Sequence, residues 1–331
     1  MLPTHNRRRA YLRHIVGLAI SLFLLYLVFR KFAWHDLNTI LVTARLSWLV
    51  AASGLYLTSF VWRAWRWQII LKSVKILPAG FLYRNLLAGY ALNNLLPARS
   101  GDFYRAHSLG VHMQISRISA LSSILVERIF DGLVLSSILG LLLIIVPRAK
   151  WIQLLGITAL AIFGSSLGGI LWVVRNAEKM RRLTIVCSRV LPHSWAQAIF
   201  RVEENFVNGL GMTTSSSSIA QVCGVSLLIW LVEYAVFWCA MWSLRTSWPW
   251  EALAVLLVVA NLATLIPSGP GYVGTFQYAF LLSLGMFGVK PNVAVAYSLL
   301  VQFVFFATVI PVGLTVLALE KKLKQLPASP L

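Results

Sequence analysis

Acidic residues are scarce in this chain: 10 Asp and Glu stand against 29 Lys and Arg, and charged residues make up only 12% of the 331. Soluble domains carry about 25%. Together with 59% hydrophobic residues and a mean hydropathy of +0.77, this excludes an ordinary soluble domain and points to a membrane protein. The longest polar stretch, about 175–218, is too short for a soluble enzyme domain of usual size. Cysteine is almost missing as well. Of the three, Cys187 lies in a basic stretch, while Cys223 and Cys239 fall 16 residues apart on one predicted helix. That separation is about 24 Å along a helix, so they cannot bridge within it. No His/Cys spacing fits a metal site, since His107 and His112 are five apart and off one helical face. No metal or cofactor is expected. "MLPTHNRRRAYLRH" has a basic start, but no small-residue cleavage site follows the first apolar run, which is therefore read as retained.

What is abundant is apolar sequence. Runs recur near 15–29, 48–65, 80–97, 118–146, 152–174, 219–243, 250–266, 274–289 and 292–318, several reaching the roughly 20 residues that span a bilayer. Basic residues collect on the cytoplasmic side of membrane proteins. That rule places inside the N-terminus (Arg7, Arg8, Arg9, Arg13), the 63–75 region, the 175–218 stretch and the C-terminal "EKKLK". The crossings agree only if 80–97 enters from the cytoplasm, turns at "LPARSG" and returns through 103–116. Basic residues then favour the inside by roughly three to one. Tryptophans fall near both predicted boundaries, as interfacial belts do.

The expected fold is an all-α polytopic membrane protein with about six full spans and two hairpins, arranged as an inverted repeat. Residues 1–147 form the first unit and 148–331 the second, each reading span, span, hairpin, span. The hairpin turns "LNNLLPARSG" (92–101) and "LATLIPSGPG" (262–271) share Leu, Leu, Pro and Gly at an offset of 170. Inverted repeats with broken helices at the midplane characterise alternating-access transporters, and non-helical backbone at that depth is tolerated where it lines a wet cavity.

The chemistry concentrates at three places. In "LNNLLPARSGDFYR", Pro97 and Gly101 break the helix, Arg99 and Arg105 supply fork-shaped donors for phosphate or carboxylate, Asp102 can orient an Arg, and Asn94 lies beside the turn. The same Arg residues would also serve as simple cytoplasmic markers, and Asn93 and Asn94 as caps or helix cross-links. In "SSILVERIFDGLVL", Glu127 and Asp131 share a helical face, and Arg128 can pair with Asp131. Ionisable residues so deep mark a functional path or tie helices together. Glu233 is the other deep acid, and its partner is expected across the bundle. The second hairpin, "LIPSGPGYVGTFQYAF", holds Pro267, Pro270, Gly271 and Gly274 without any charge. It is either an amide-lined anion site or a tight bend. The Ser run 213–218 reads as a flexible connector.

At these residues the chain resembles the flippase-like integral membrane family related to the transmembrane region of lysylphosphatidylglycerol synthases, over roughly 15–320. The resemblance rests on Pro97-x-Arg99-x-Gly101-Asp102-x-x-Arg105, Glu127-Arg128-x-x-Asp131 and Pro267-x-x-Pro270-Gly271-x-x-Gly274. Two departures stand out: Tyr272 where the family pattern has a second Gly, and Gln277 where it has a Glu. The resemblance implies lipid translocation or handling in a bacterial or archaeal cytoplasmic membrane. The expected partners are membrane lipids with anionic headgroups, and a competing reading is a non-catalytic partner of a lipid-modifying or glycosyl-transferring enzyme. Lysyl transfer is not expected without the soluble synthase domain. An intramembrane enzyme using Asp102, Glu127 or His107 as acid or base is the alternative, disfavoured because no nucleophile–base set is visible. Nucleic acid is not an expected partner, since lipid headgroups account for the dispersed basic residues.

Overall fold

The structure is a computed structural model that describes residues 23–26, 42–96, 99–146, 149–188, 193–211, 215–266 and 268–325. Pro97, Pro267, most of the first apolar run and the basic N-terminus lie outside the described residues. Among those described the chain is helical, without strands. The helices are α1 (Leu46–Leu71), α2 (Ala79–Leu95), α3 (Ser100–Met113), α4 (Arg117–Leu142), α5 (Lys150–Arg175), α6 (Ala177–Ser188), α7 (His193–Gly209), α8 (Ser216–Ser243), α9 (Trp250–Ala263), α10 (Thr275–Gly285) and α11 (Pro291–Gln325). A single 3-10 turn, Pro270–Tyr272, precedes α10.

Three described helices, α5, α8 and residues 291–321 of α11, are long and apolar enough to cross a membrane. Helices α1 and α4 have 26 residues each, but both carry buried charged side chains in their length. Only 11% of the apolar window of α5 is buried, so its Leu154, Ile157 and Ile162 face outward, as lipid contact requires. It is held to α4 where Phe163 lies over Gly132, a place with no room for a β-carbon.

The centre is built on α1 and α8, which run antiparallel along each other. Arg45 N–H donates to Ser243 O (2.9 Å) at one end, Trp48 and Trp242 stack edge-on at 4.7 Å, and Arg66 reaches Ser226 (2.8 Å) near the other end. Helices α2 and α3 form a tight hairpin. A β-carbon on Gly101 would lie 1.8 Å from the Gly89 carbonyl oxygen, so only glycine allows this approach. Helices α9 and α10 form a second hairpin. Helix α2 lies along α11, with Gly313 against Leu87 and Ala91, and α9 lies along α4.

The structure departs from three expectations. The 175–218 stretch, expected as a loop, is largely the helix pair α6 and α7. Phe206 and Leu210, four apart, turn into the core, and Ser119 donates to Asn205 O (2.7 Å), fastening α7 to the start of α4. The end of the Ser run is no flexible connector: Ser215 caps α8 and Ser216–Ser218 form its first turn. The charge count also shifts, because Arg63, Arg66 and Arg105 are buried rather than in loops.

A topology test follows from exposure. Ser108 is buried, so its failure to label would say nothing about sidedness, whereas His107 and Ser215 are exposed. With Cys187, Cys223 and Cys239 replaced by Ser, His107→Cys and Ser215→Cys should resist an impermeant maleimide in intact cells and react in inside-out vesicles. External labelling of either would overturn the inferred orientation.

Candidate functional site

Four arginines and four acids meet inside the bundle. Glu127 on α4 receives both terminal nitrogens of Arg105 on α3 (2.8 and 3.4 Å) and lies 3.6 Å from Arg66 on α1. Arg66 in turn donates to both oxygens of Asp131 (2.5 and 3.0 Å) and to Ser226 on α8 (2.8 Å). Glu127, Arg66 and Arg105 are 0% exposed, a placement that would be prohibitive for a lone charge. Arg105 also lies over the Trp67 ring, 4.1 Å from its centre, and Trp67 is anchored by its indole N–H to Ser123 (3.0 Å). The other members are half-buried or flank this centre. Arg128 faces Asp102 (3.3 Å), which also accepts from Asn93 (3.2 Å). Arg63 pairs with Glu233 and donates to the Tyr90 hydroxyl (3.0 Å).

The helices that present these groups are shaped by local rules. Asn93 accepts the Gly101 N–H (2.8 Å), bridging the end of α2 to the free first turn of α3. Arg99 enters α3 in the left-handed region (φ 50°) and Tyr272 leaves the 3-10 turn there too (φ 59°). Both are uncommon for non-glycine residues. The two breaks meet. Arg99 donates to Thr264 O (2.8 Å) at the end of α9, and its guanidinium lies 5.9 Å from the Tyr272 ring.

Between the breaks is a partly open cleft. Asn94, Arg99, Arg128, Asp131 and Gly271 line it, with Arg63 and Glu233. Gly101, Asp102, Arg105, Glu127, Pro270 and Gly274 are not part of the lining. Arg105 in particular is fully buried and engaged with Glu127, which corrects its reading as a ligand-gripping donor. Arg128 and Asp131, read as an i,i+3 pair, instead take Asp102 and Arg66 as partners, because the guanidinium and carboxylate face different helices. Neither is Asp102, Glu127 or His107 placed as a free acid or base: the two carboxylates are held by guanidinium groups, and His107 lies exposed outside the cleft. Among the described residues, no three His, Cys, Asp or Glu lie close enough to hold a metal ion.

The second hairpin is wired by amides rather than charge. Gln277 accepts the Gly274 N–H (2.7 Å) and donates to Gln302 (2.6 Å), which donates to Gly271 O (2.7 Å). Gly271 itself (φ 65°) abuts Phe306, leaving no space for a β-carbon.

The transmembrane-region profile of lysylphosphatidylglycerol synthases matches residues 14–313. The chain belongs to this family. Among curated relatives it is 24% identical over 321 residues to a protein named Glycosyltransferase AglD from Haloferax volcanii, covering 86% of this chain and 51% of that protein. The chain thus spans about half the length of that relative. A UPF0104 membrane protein of Methanothermobacter thermautotrophicus is 24% identical over 264 residues, covering 75% of this chain and 78% of its own. Another, from Methanocaldococcus jannaschii, is 21% identical over 307 residues, with 87% and 89% covered.

The sequence analysis missed Arg63, Arg66, Tyr90 and Gln302. Arg63 and Arg66 sit three apart on one face of α1, a spacing that marks a shared polar face. The offset of 170 that aligns the hairpin turns also aligns Arg63 with Glu233, and could have revealed that pair.

Two stability tests follow. Glu127→Gln leaves Arg66 and Arg105 undercompensated, and breaking a buried pair costs about 3–5 kcal/mol. Protein amount and thermal stability in detergent should fall sharply, whereas Arg105→Met with Glu127→Met should recover most of the loss. A fully stable single mutant would show the network to be solvated. Gln277→Glu forces the Gln302 amide to turn, setting its oxygen against Gly271 O. About 1–3 kcal/mol should be lost, read as a lower unfolding temperature.

Proposed function

We propose that this family member moves a lipid headgroup across the cytoplasmic membrane through the cleft between its two hairpins. The observation that carries the reading is the meeting of the two helix breaks, Arg99 to Thr264 and Tyr272, at the edge of a polar cleft inside an otherwise apolar bundle. Broken helices meeting at a cleft are the arrangement expected of a transport site.

The packing supports two inverted units. A shift of 170 in residue number aligns α1 with α8, α2 with α9, α3 with α10 and α4 with α11. The neighbours transform accordingly: α2 beside α11 becomes α9 beside α4, each hairpin maps on the other, and α1 and α8 exchange across their own antiparallel contact. In this reading Arg63–Glu233 sits at the pseudo-two-fold axis. The domain division then becomes residues up to 147 and from 148 onward, with both termini cytoplasmic and α6–α7 as a cytoplasmic surface element. About six full spans accompany the two hairpins. The lipid partner is anionic at its headgroup.

A second reading has a specific observation behind it. One relative is named a glycosyltransferase and is about twice as long as this chain, so the membrane portion can act as a partner of a lipid-modifying or glycosyl-transferring enzyme. The two readings share the headgroup cleft and differ in whether the lipid changes leaflet.

Reconstitution separates them. In vesicles the full chain should equilibrate a labelled anionic phospholipid between leaflets with its chemical structure unchanged. Arg99→Ala should slow this by about tenfold or more, since a charge-assisted hydrogen bond contributes roughly 1.5–3 kcal/mol. Arg181→Ala, on the exposed face of α6, should change little. No exchange by the wild type would refute the transport reading, and equal rates for both mutants would remove Arg99 from the path.

A further inference from the structure

The charge balance around the cleft and its spare hydrogen-bonding capacity together specify the headgroup. The eight network groups cancel, as Arg63, Arg66, Arg105 and Arg128 face Asp102, Glu127, Asp131 and Glu233. Arg99 remains. Among the described residues it has no carboxylate partner and donates only to Thr264. The cleft therefore carries one uncompensated positive charge.

Its unused polar atoms are mostly donors. Arg63 Nε, Arg128 Nε and Trp230 Nε1 are buried and without hydrogen-bond partners, and all three residues line the cleft. Trp230 is 5% exposed and Arg63 4%, so these donors would be costly to leave unmet. Phosphate oxygens are suited to donors of this kind.

An ammonium group, by contrast, finds no free carboxylate. Asp131 and Glu233 in the cleft wall are each held by an arginine. Three aromatic faces of the lining, the usual substitute for a carboxylate, already meet a guanidinium: Tyr90 and Trp230 face Arg63 at 5.4 and 5.8 Å, and Tyr272 faces Arg99. The remaining neutral groups, the Asn94 amide and the Tyr56 hydroxyl, line the cleft without hydrogen-bond partners among the described residues. Hydroxyls can pair with either.

We propose that the cleft selects a lipid phosphodiester of net charge −1 whose head bears hydroxyls and no ammonium, with the phosphate at Arg99 and the indole N–H of Trp230. Glycerol- or sugar-bearing phospholipids have this chemistry. The inference rests on the cleft being a headgroup site, though not on transport through it.

The test measures binding to the purified full chain in neutral detergent, by thermal unfolding against added lipid. Phosphatidylglycerol, phosphatidylserine and phosphatidylethanolamine are compared. Phosphatidylserine has the same net charge but carries an ammonium, which separates charge from headgroup chemistry. Wild type should bind phosphatidylglycerol about tenfold more tightly than either of the others. Arg99→Asn, chosen because Asn tolerates the left-handed backbone there, should abolish that preference. Trp230→Phe keeps the ring, loses the N–H and should weaken phosphatidylglycerol by several-fold while leaving phosphatidylethanolamine unchanged.

Equal binding of phosphatidylserine and phosphatidylglycerol would overturn the proposal, as would a preference surviving in Arg99→Asn. If that variant fails to fold, the Trp230→Phe comparison decides alone. Glycerol 3-phosphate that protects as well as phosphatidylglycerol would overturn the lipid source. Selective binding without leaflet exchange in vesicles would refute the transport reading and leave this one standing. Exchange of all three lipids at one rate, with no binding preference, would do the reverse.

Discussion

The charge-neutral cluster of arginines and acids sets the terms for the rest of the molecule. A single guanidinium or carboxylate at such depth would carry a desolvation penalty that no helix packing offsets. Here each is answered by groups from other helices: Glu127 on α4 by Arg105 on α3 and Arg66 on α1, and Glu233 on α8 by Arg63 on α1. Electrostatic satisfaction is thus possible only when α1, α3, α4 and α8 are assembled together. Apolar packing in lipid has little directional preference, because the tails are as apolar as the side chains. The cluster supplies the specificity that apolar contact cannot.

The two hairpins solve one problem in different ways. Each interrupts a helix and so frees backbone groups that lipid cannot satisfy. The first hairpin uses charge and close approach: Gly89 against Gly101, Asn93 capping Gly101, and Arg99 reaching across to Thr264. The second uses a relay of neutral amides, Gln277 to Gln302 to Gly271. Gln277 stands where the family pattern has an acid, and the amide's ability both to accept from Gly274 and to donate to Gln302 explains how the bend is held without one. Tyr272, the other departure, accepts a left-handed backbone and places its ring beneath Arg99. The asymmetry puts the excess charge of the cleft on one side.

Much of this was visible in the sequence, and for physical reasons. Composition alone demanded a membrane environment, and the length of the apolar runs located the helices other than α6 and α7, since run length follows from apolar transfer energy. Helix breakers at Gly101, Pro270 and Gly271 marked both turns. The motif residues Asp102, Arg105, Glu127, Arg128 and Asp131 fall in one ion-pair network, and Arg99 lines the cleft beside it.

What sequence could not supply was pairing. Arg128 and Asp131 satisfy the i,i+3 rule yet face away to Asp102 and Arg66, and Arg63 looked like a cytoplasmic marker until α8 brought Glu233 to it. Helix spacing determines which side chains share a face of one helix; it carries no information about which other helix that face meets. The sequence by itself therefore determined the solvent, the elements and the chemistry available. Only the tertiary structure decided that Arg105 is an internal tie and Arg99 the cation left facing the cleft, because charge compensation in a low-dielectric interior depends on distances between segments far apart in the chain.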